Sequence, residues 1–208
     1  RLGVALLGAR ITLAQIIELG PAPILIVIGS IILTILFGRF VATLLKLERG
    51  MGLLTAGATA ICGASAALAI SAVMPKHDKL ERDTIFTVIA VTALSTLAMI
   101  IYPLIVDAIG FDNTEKGIFI GATIHDVAQV VGAGYMVSDE TGDVATFTKL
   151  LRVAMLAPVV LIFALVVARW GRGQVGSTRG ARAGLPWFLV AFVVIVAINS
   201  FGVIPAPV

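Results

Sequence analysis

Apolar residues run along this chain in seven blocks: 2–19, 21–45, 50–74, 84–109, 116–137, 147–170 and 184–204. Each is near the roughly 20 residues that a helix needs to cross a bilayer core of about 30 Å. The period of two that marks a membrane β-strand is absent, so the blocks predict helices. Polar residues gather between them. Lys46, Glu48 and Arg49 form one loop, and Lys76 to Asp83 another. The runs 112–116 and 138–143 are acidic, and Arg169, Arg172, Arg179 and Arg182 fill a Gly-rich loop.

The blocks are of two kinds. The second, fourth, sixth and seventh are rich in Leu, Ile, Val and Phe, as lipid-facing helices are. The third and fifth are rich in Gly, Ala, Ser and Thr. Small residues let helix backbones approach closely, which predicts that these two are buried in the bundle. Glycine also allows a helix to break, and freed backbone groups are tolerated at membrane depth only within protein or beside a water-filled cavity. Two topologies follow. If all blocks span, the tetra-arginine side carries seven Lys/Arg in its loops against four. If the third and fifth are re-entrant, the division is nine against two, with Lys116 and Lys149 outside, which fits the positive-inside rule better. Complete spans are the commoner arrangement, so both stay open. Gly57-Ala58-Thr59 and Gly121-Ala122-Thr123 form a short echo between these blocks.

Composition agrees with a membrane protein. Hydrophobic residues make up 59% of the chain, charged residues 13%, and mean hydropathy is +1.09. Soluble domains carry about 25% charged residues. The net charge of +3 is not organised as a basic run with interleaved aromatics, so no nucleic-acid partner is expected. The single cysteine, Cys62, excludes an intrachain disulfide. Neither it nor the distant pair His77 and His125 has metal-ligand spacing, so no metal or cofactor is expected. No nucleophile–base constellation is evident, and the reading is of a non-enzyme.

Within GATIHDVAQVVGAG, the side chains of His125 and Gln129 would share one face of a continuous helix with Gly121 and Gly132. Asp126 would sit about 100° away, turned toward a cation. An unpaired carboxylate at membrane depth costs at least about 2.5–3.5 kcal/mol. The stretch is therefore either a substrate or proton site or a structural hydrogen-bonded pair. Arg10, Lys149 and Arg152 are the candidate cations. Lys149 and Arg152 share a face where the sixth block enters the membrane and could snorkel to the headgroups. Arg10 lies too deep for that and could bind an anion or pair with Asp126. Cys62-Gly63-Ala64-Ser65 offers a backbone turn, a hydroxyl and, beside a helix N-terminus, an anion site; close packing is the other reading. Thr92, Ser95 and Thr96 are expected to bond back to their own helix. Pro103 and Pro158 are expected to kink theirs, and Asn199 could join two helices.

At these residues the chain resembles the YeiH-like sulfate exporter family of bacterial inner-membrane proteins. LGVALLGARITL, ATAICGASAA, GATIHDVAQVVGAGY and KLLRVAMLAP carry the resemblance, which runs over essentially all 208 residues. It implies a multi-pass secondary transporter with inverted repeats and broken helices, taking sulfate or a small organosulfonate. The candidates carried over are Cys62, Gly63, Ser65, His125, Asp126, Gln129 and Arg152. Family members are longer, so residues 1–208 are read as one transmembrane domain in the middle of a longer transporter.

The expectation is thus an all-α, polytopic membrane helix bundle with broken or re-entrant helices, of inverted-repeat transporter type, in the bacterial inner membrane. Its partners would be a small anion and the lipid bilayer, and a homo-oligomer is compatible with the sequence. The anion would be held by Arg10 or Arg152, Cys62, Gly63, Ser65 and Gln129. His125 and Asp126 would carry a coupling proton. The alternative is a channel lined by 50–74 and 116–137.

Overall fold

The computed structural model describes residues 21–171 and the helical residues 194, 195 and 198. Within 21–171 eight helices follow in order: α1 Pro21–Leu44, α2 Arg49–Ala60, α3 Ala64–Val73, α4 Leu80–Ile109, α5 Asn113–Thr123, α6 Val127–Val137, α7 Asp139–Ala154 and α8 Leu156–Gly171. No strand occurs among the described residues. Three stretches there are long and apolar enough to cross a membrane: Ile24–Leu44, Leu80–Ile109 and Asp139–Val167. The last is α7 and α8 together. Pro158 has no N–H to give the Ala154 carbonyl, and the helix steps at Met155, whose N–H is shared between Leu151 and Arg152. Pro103, by contrast, lies inside a single helix of 30 residues. The chain is an all-α, polytopic membrane protein. Arg10, Asn199 and the block 2–19 lie outside the described residues.

The blocks 50–74 and 116–137 do not cross. Glu48, just before α2, accepts a hydrogen bond from Lys79, the N-cap residue of α4, at 2.7 Å. A Cβ at Gly50 would lie 3.0 Å from the Met74 methyl, and one at Gly57 would meet Ile70. So α2 and α3 fold back on each other and leave by the side they entered. The same holds for α5 and α6. Asn113 and Thr114 at the start of α5 donate to Glu140, which follows α6, and Thr141 donates to the Asn113 carbonyl. Each arm has 10 to 12 residues. At 1.5 Å per residue that is roughly 15–18 Å, half of a bilayer core. Both blocks are re-entrant helical hairpins that reach the midplane.

Because α4 crosses between them, the hairpins enter from opposite sides. Each follows a spanning helix, α1 or α4, and these two run in opposite directions. This is an inverted repeat of span and hairpin. The GAT echo occupies the end of the first arm in both hairpins, at the last turns of α2 and α5.

Charge follows the same division. Arg39, Lys46, Arg49, Lys76, Lys79 and Arg82 lie at the end of α1 and the base of the first hairpin. Around the second base, Asp107, Asp112, Glu115, Asp139, Glu140 and Asp143 gather, with Lys116 the one cation among the described residues there. The positive-inside rule puts the first base in the cytoplasm.

Small residues make the packing possible. A Cβ at Gly117 would touch Val144 at 2.6 Å, and one at Gly121 would press into the Ala145 carbonyl. Two buried clusters result. One surrounds the first hairpin with Leu54, Ile61, Ile70, Leu151 and Phe163. The other surrounds the second with Val106, Ile120, Ile124 and Val130. Outward faces of α1 and α4 carry exposed Leu33, Phe37, Phe40, Ile89, Leu97 and Leu104, as helices against lipid do.

Candidate functional site at the hairpin tips

The two tips meet. In the first hairpin α2 stops at Ala60, Ile61 to Gly63 turn, and α3 begins at Ala64. Gly63 donates its N–H to the Ala58 carbonyl at 2.9 Å and has φ +62°, which side-chain-bearing residues rarely adopt. A Cβ there would also lie 3.2 Å from the His125 Cβ in the second tip. In the second hairpin the turn is Ile124–His125–Asp126. The glycine is required both by its own backbone and by the approach of the other hairpin.

Each tip ends a helix with unpaired carbonyls and the negative end of a helix dipole. Cations from α7 meet that need. Lys149 Nζ donates to the Ile61 carbonyl at 3.0 Å and to the Ile124 carbonyl at 2.8 Å, one from each hairpin. One turn on, Arg152 Nη2 donates to the Ala60 carbonyl. Lys149 is 0% exposed and Arg152 3%. Among the described residues no carboxylate lies within ion-pair distance of either. The Arg152 Nε has no hydrogen-bond partner.

Lys149 therefore does not snorkel. Its depth is counted from the true start of α7, where Ser138 caps the helix and Asp139 and Glu140 complement the dipole. From there Lys149 lies about 15 Å along the helix, at mid-membrane. Counting from the apolar block 147–170 places it at the surface. The Ser138-Asp139-Glu140 start signal was present in the sequence.

Asp126 makes no ion pair among the described residues. It caps α6, and its Oδ1 accepts the N–H groups of Ala128 at 2.9 Å and Gln129 at 3.3 Å. A carboxylate at the positive end of a helix, with two N–H donors, is stabilised without a salt bridge. His125 and Gln129 do not share a helix face either, because α5 ends before His125. Instead, Ser95 of α4 organises the second tip. Its Oγ accepts the N–H of His125 at 3.1 Å and of Asp126 at 3.3 Å, and donates to Gln129 Oε1. Gln129 Nε2 donates to Thr96 at 2.9 Å. Thr96 also bonds back to Thr92, but Ser95 leaves its own helix for the tip. The His125 Nδ1 is buried without a partner.

At the first tip, no side chain caps α3. Its first N–H groups, on Ala64 and Ser65, lie in an N-terminus at mid-membrane depth, and Ser65 is half-buried. Cys62 is buried beside it. The structure thus brings Cys62, Gly63, Ser65, His125, Asp126, Gln129 and Arg152 to one region and adds Lys149, Ser95 and Thr96. Arg10 is outside the described residues. Among those described, no group of three His, Cys, Asp or Glu could hold a metal ion.

A family model described as conserved hypothetical protein 698 matches residues 1–208. A UPF0324 membrane protein of Chlorobaculum tepidum is 55% identical over 207 residues, covering 100% of this chain and 57% of the relative. The UPF0324 membrane protein TauZ of Paracoccus denitrificans is 50% identical over 210 residues, covering 100% and 61%. A UPF0324 membrane protein of Rhizobium meliloti is 54% identical, covering 99% and 59%. The chain spans about three-fifths of the length of these curated relatives. No solved structure matches. The YeiH-like resemblance fits these relatives.

Proposed function

The chain belongs to the conserved hypothetical protein 698 family of membrane proteins, and from that premise we propose that it forms the core of a secondary transporter that exports a small anion such as sulfate or an organosulfonate. One observation carries the reading. Two hairpins entering from opposite sides meet around two buried cations to which no described carboxylate is bound. Positive charge at membrane depth bonded only to neutral carbonyls is costly, and an arriving anion relieves that cost. Broken helices meeting at the midplane, with free N–H groups at a half-helix start, are the means by which inverted-repeat transporters hold such a substrate.

The anion would lie against the start of α3 at Gly63 to Ser65, with the free Arg152 Nε, Cys62 beside it and the amide of Gln129 across from it. A guanidinium presents a fork of donors matched to oxyanions. His125 and Asp126, adjacent in the facing tip, would carry the coupling proton. Asp126 keeps one carboxylate oxygen outside its capping bonds, and His125 Nδ1 is free of partners.

Anion flux through the full-length protein in proteoliposomes tests the reading. Sulfate or sulfonate efflux is expected from wild type and is lost in Arg152→Gln. Equal flux in liposomes without protein would overturn it. A channel lined by the same hairpins is disfavoured by tips that close on each other; unitary conductance far above carrier turnover would reverse that preference.

A further inference from the structure

We propose that Lys149 is the latch between the two hairpins, and that the anion binds in exchange for one of its two main-chain bonds. The latch rests on geometry alone; the exchange rests also on the transport reading above.

An ammonium has three donors and no acceptor. Lys149 gives one to Ile61 of the cytoplasmic hairpin and one to Ile124 of the opposite hairpin. No other side chain of the described residues bonds both tips. The ammonium is fully buried, and Thr148 beside it on α7 has an equally buried hydroxyl without a partner. The contact therefore has little redundancy. Both acceptors are neutral carbonyls. An oxyanion is the stronger acceptor for a cation, because a bond between two charged groups is roughly twice as strong as a neutral one. Its third donor is enclosed as well, since Lys149 is 0% exposed with both tips closed on it, so an oxyanion reaches the ammonium only when a tip moves away. A ligand shifts an equilibrium by its differential affinity for the two states, and here the anion reaches the ammonium only in the unlatched one. Releasing Ile61 frees the hairpin based in the cytoplasm. Releasing Ile124 frees the other. One ammonium thus couples substrate to both gates, and keeping one bond at all times closes one side while the other opens.

Cys62, buried in the first tip next to Ile61, reports the latch directly. The measurement is the rate of Cys62 alkylation by N-ethylmaleimide in the full-length protein in proteoliposomes, read by mass spectrometry of its peptide. Lys149→Met is expected to raise that rate at least about tenfold, the factor that loss of one charge-assisted bond implies. Lys149→Arg, which keeps charge and reach, stays near wild type. If Lys149→Met does not accumulate, Lys149→Gln is read in its place. Excess sulfate or methanesulfonate is expected to speed alkylation in wild type and to do nothing in Lys149→Met. An unchanged rate in the uncharged variant overturns the latch. Anion flux in wild type with no effect of the anion on alkylation overturns the exchange. Absence of flux overturns the transport reading instead, and the variant comparison still judges the latch.

Discussion

Lys79 Nζ lies 2.7 Å from Glu48 Oε1, although an entire helical hairpin separates them in sequence. A straight helix over 49–73 would hold its two ends about 36 Å apart. Cysteines at the two positions are therefore expected to cross-link readily in membranes with a short bifunctional maleimide. Failure to cross-link in folded protein would reinstate a complete span. The hydrogen bond and charge of Lys79 hold the Glu48 carboxyl below its ordinary value of 4.5. A depressed carboxyl contributes above its unfolded value and loses that contribution as pH falls through the folded one. The native pair thus persists at neutral pH and opens only in acid below about 4.5.

Sidedness gives an independent check. Single cysteines at Asp78, Asp112 and Glu140 are expected to react with an impermeant maleimide from one side, the opposite side and that opposite side again. Complete spans would place Asp112 and Glu140 on different faces. Labelling of intact cells against inverted vesicles distinguishes the two.

Ser95→Ala removes the acceptor for the His125 and Asp126 N–H groups and the donor to Gln129. Three polar groups of the second tip lose a partner. A loss of about 1–3 kcal/mol is expected, the usual cost of stranding buried polar groups. Thermal unfolding in detergent measures it, and an unchanged midpoint would argue against the Ser95 network.

The capping role of Asp126 and the proton-carrying role proposed for it are separable. As an N-cap it is replaced well by Asn and poorly by Ala, so Asp126→Ala is expected to cost about 1 kcal/mol and Asp126→Asn much less. As a carrier of the coupling proton it is replaced by neither, so both variants should lose pH-dependent flux. Retention of pH dependence in Asp126→Asn, with stability kept, would leave Asp126 as a cap alone.

Gly121 and Gly29 offer a matched contrast. A Cβ at Gly121 would press into the Ala145 carbonyl and come within 2.8 Å of Thr148, whereas one at Gly29 meets nothing within 4 Å. Gly121→Ala is expected to destabilise by about 1–3 kcal/mol or more. Gly29→Ala, in the interior of α1, is expected to stabilise by roughly 0.5–1 kcal/mol. Unfolding midpoints in detergent compare them, and a tolerated Gly121→Ala would contradict the close approach of α5 to α7.

The sequence by itself determined which stretches are helical and apolar, which two are built of small residues, and that polar groups sit inside them. Those are local properties: hydropathy, propensity and the steric size of Gly and Ala do not depend on the rest of the fold. It also held the His125 to Gln129 cluster and the Cys62 to Ser65 turn as candidates. What it left open was whether 50–74 and 116–137 cross or return. Both have the length for either path, and the choice lies in the turns at Gly63 and Asp126 and in contacts such as Glu48 with Lys79. Only the tertiary structure placed Lys149 at mid-membrane, because its acceptors, Ile61 and Ile124, are carbonyls from two distant hairpins. A main-chain carbonyl leaves no mark in a sequence, since every residue has one. It becomes a site only when the ends of α2 and α5 leave it unpaired and the fold brings a cation to it.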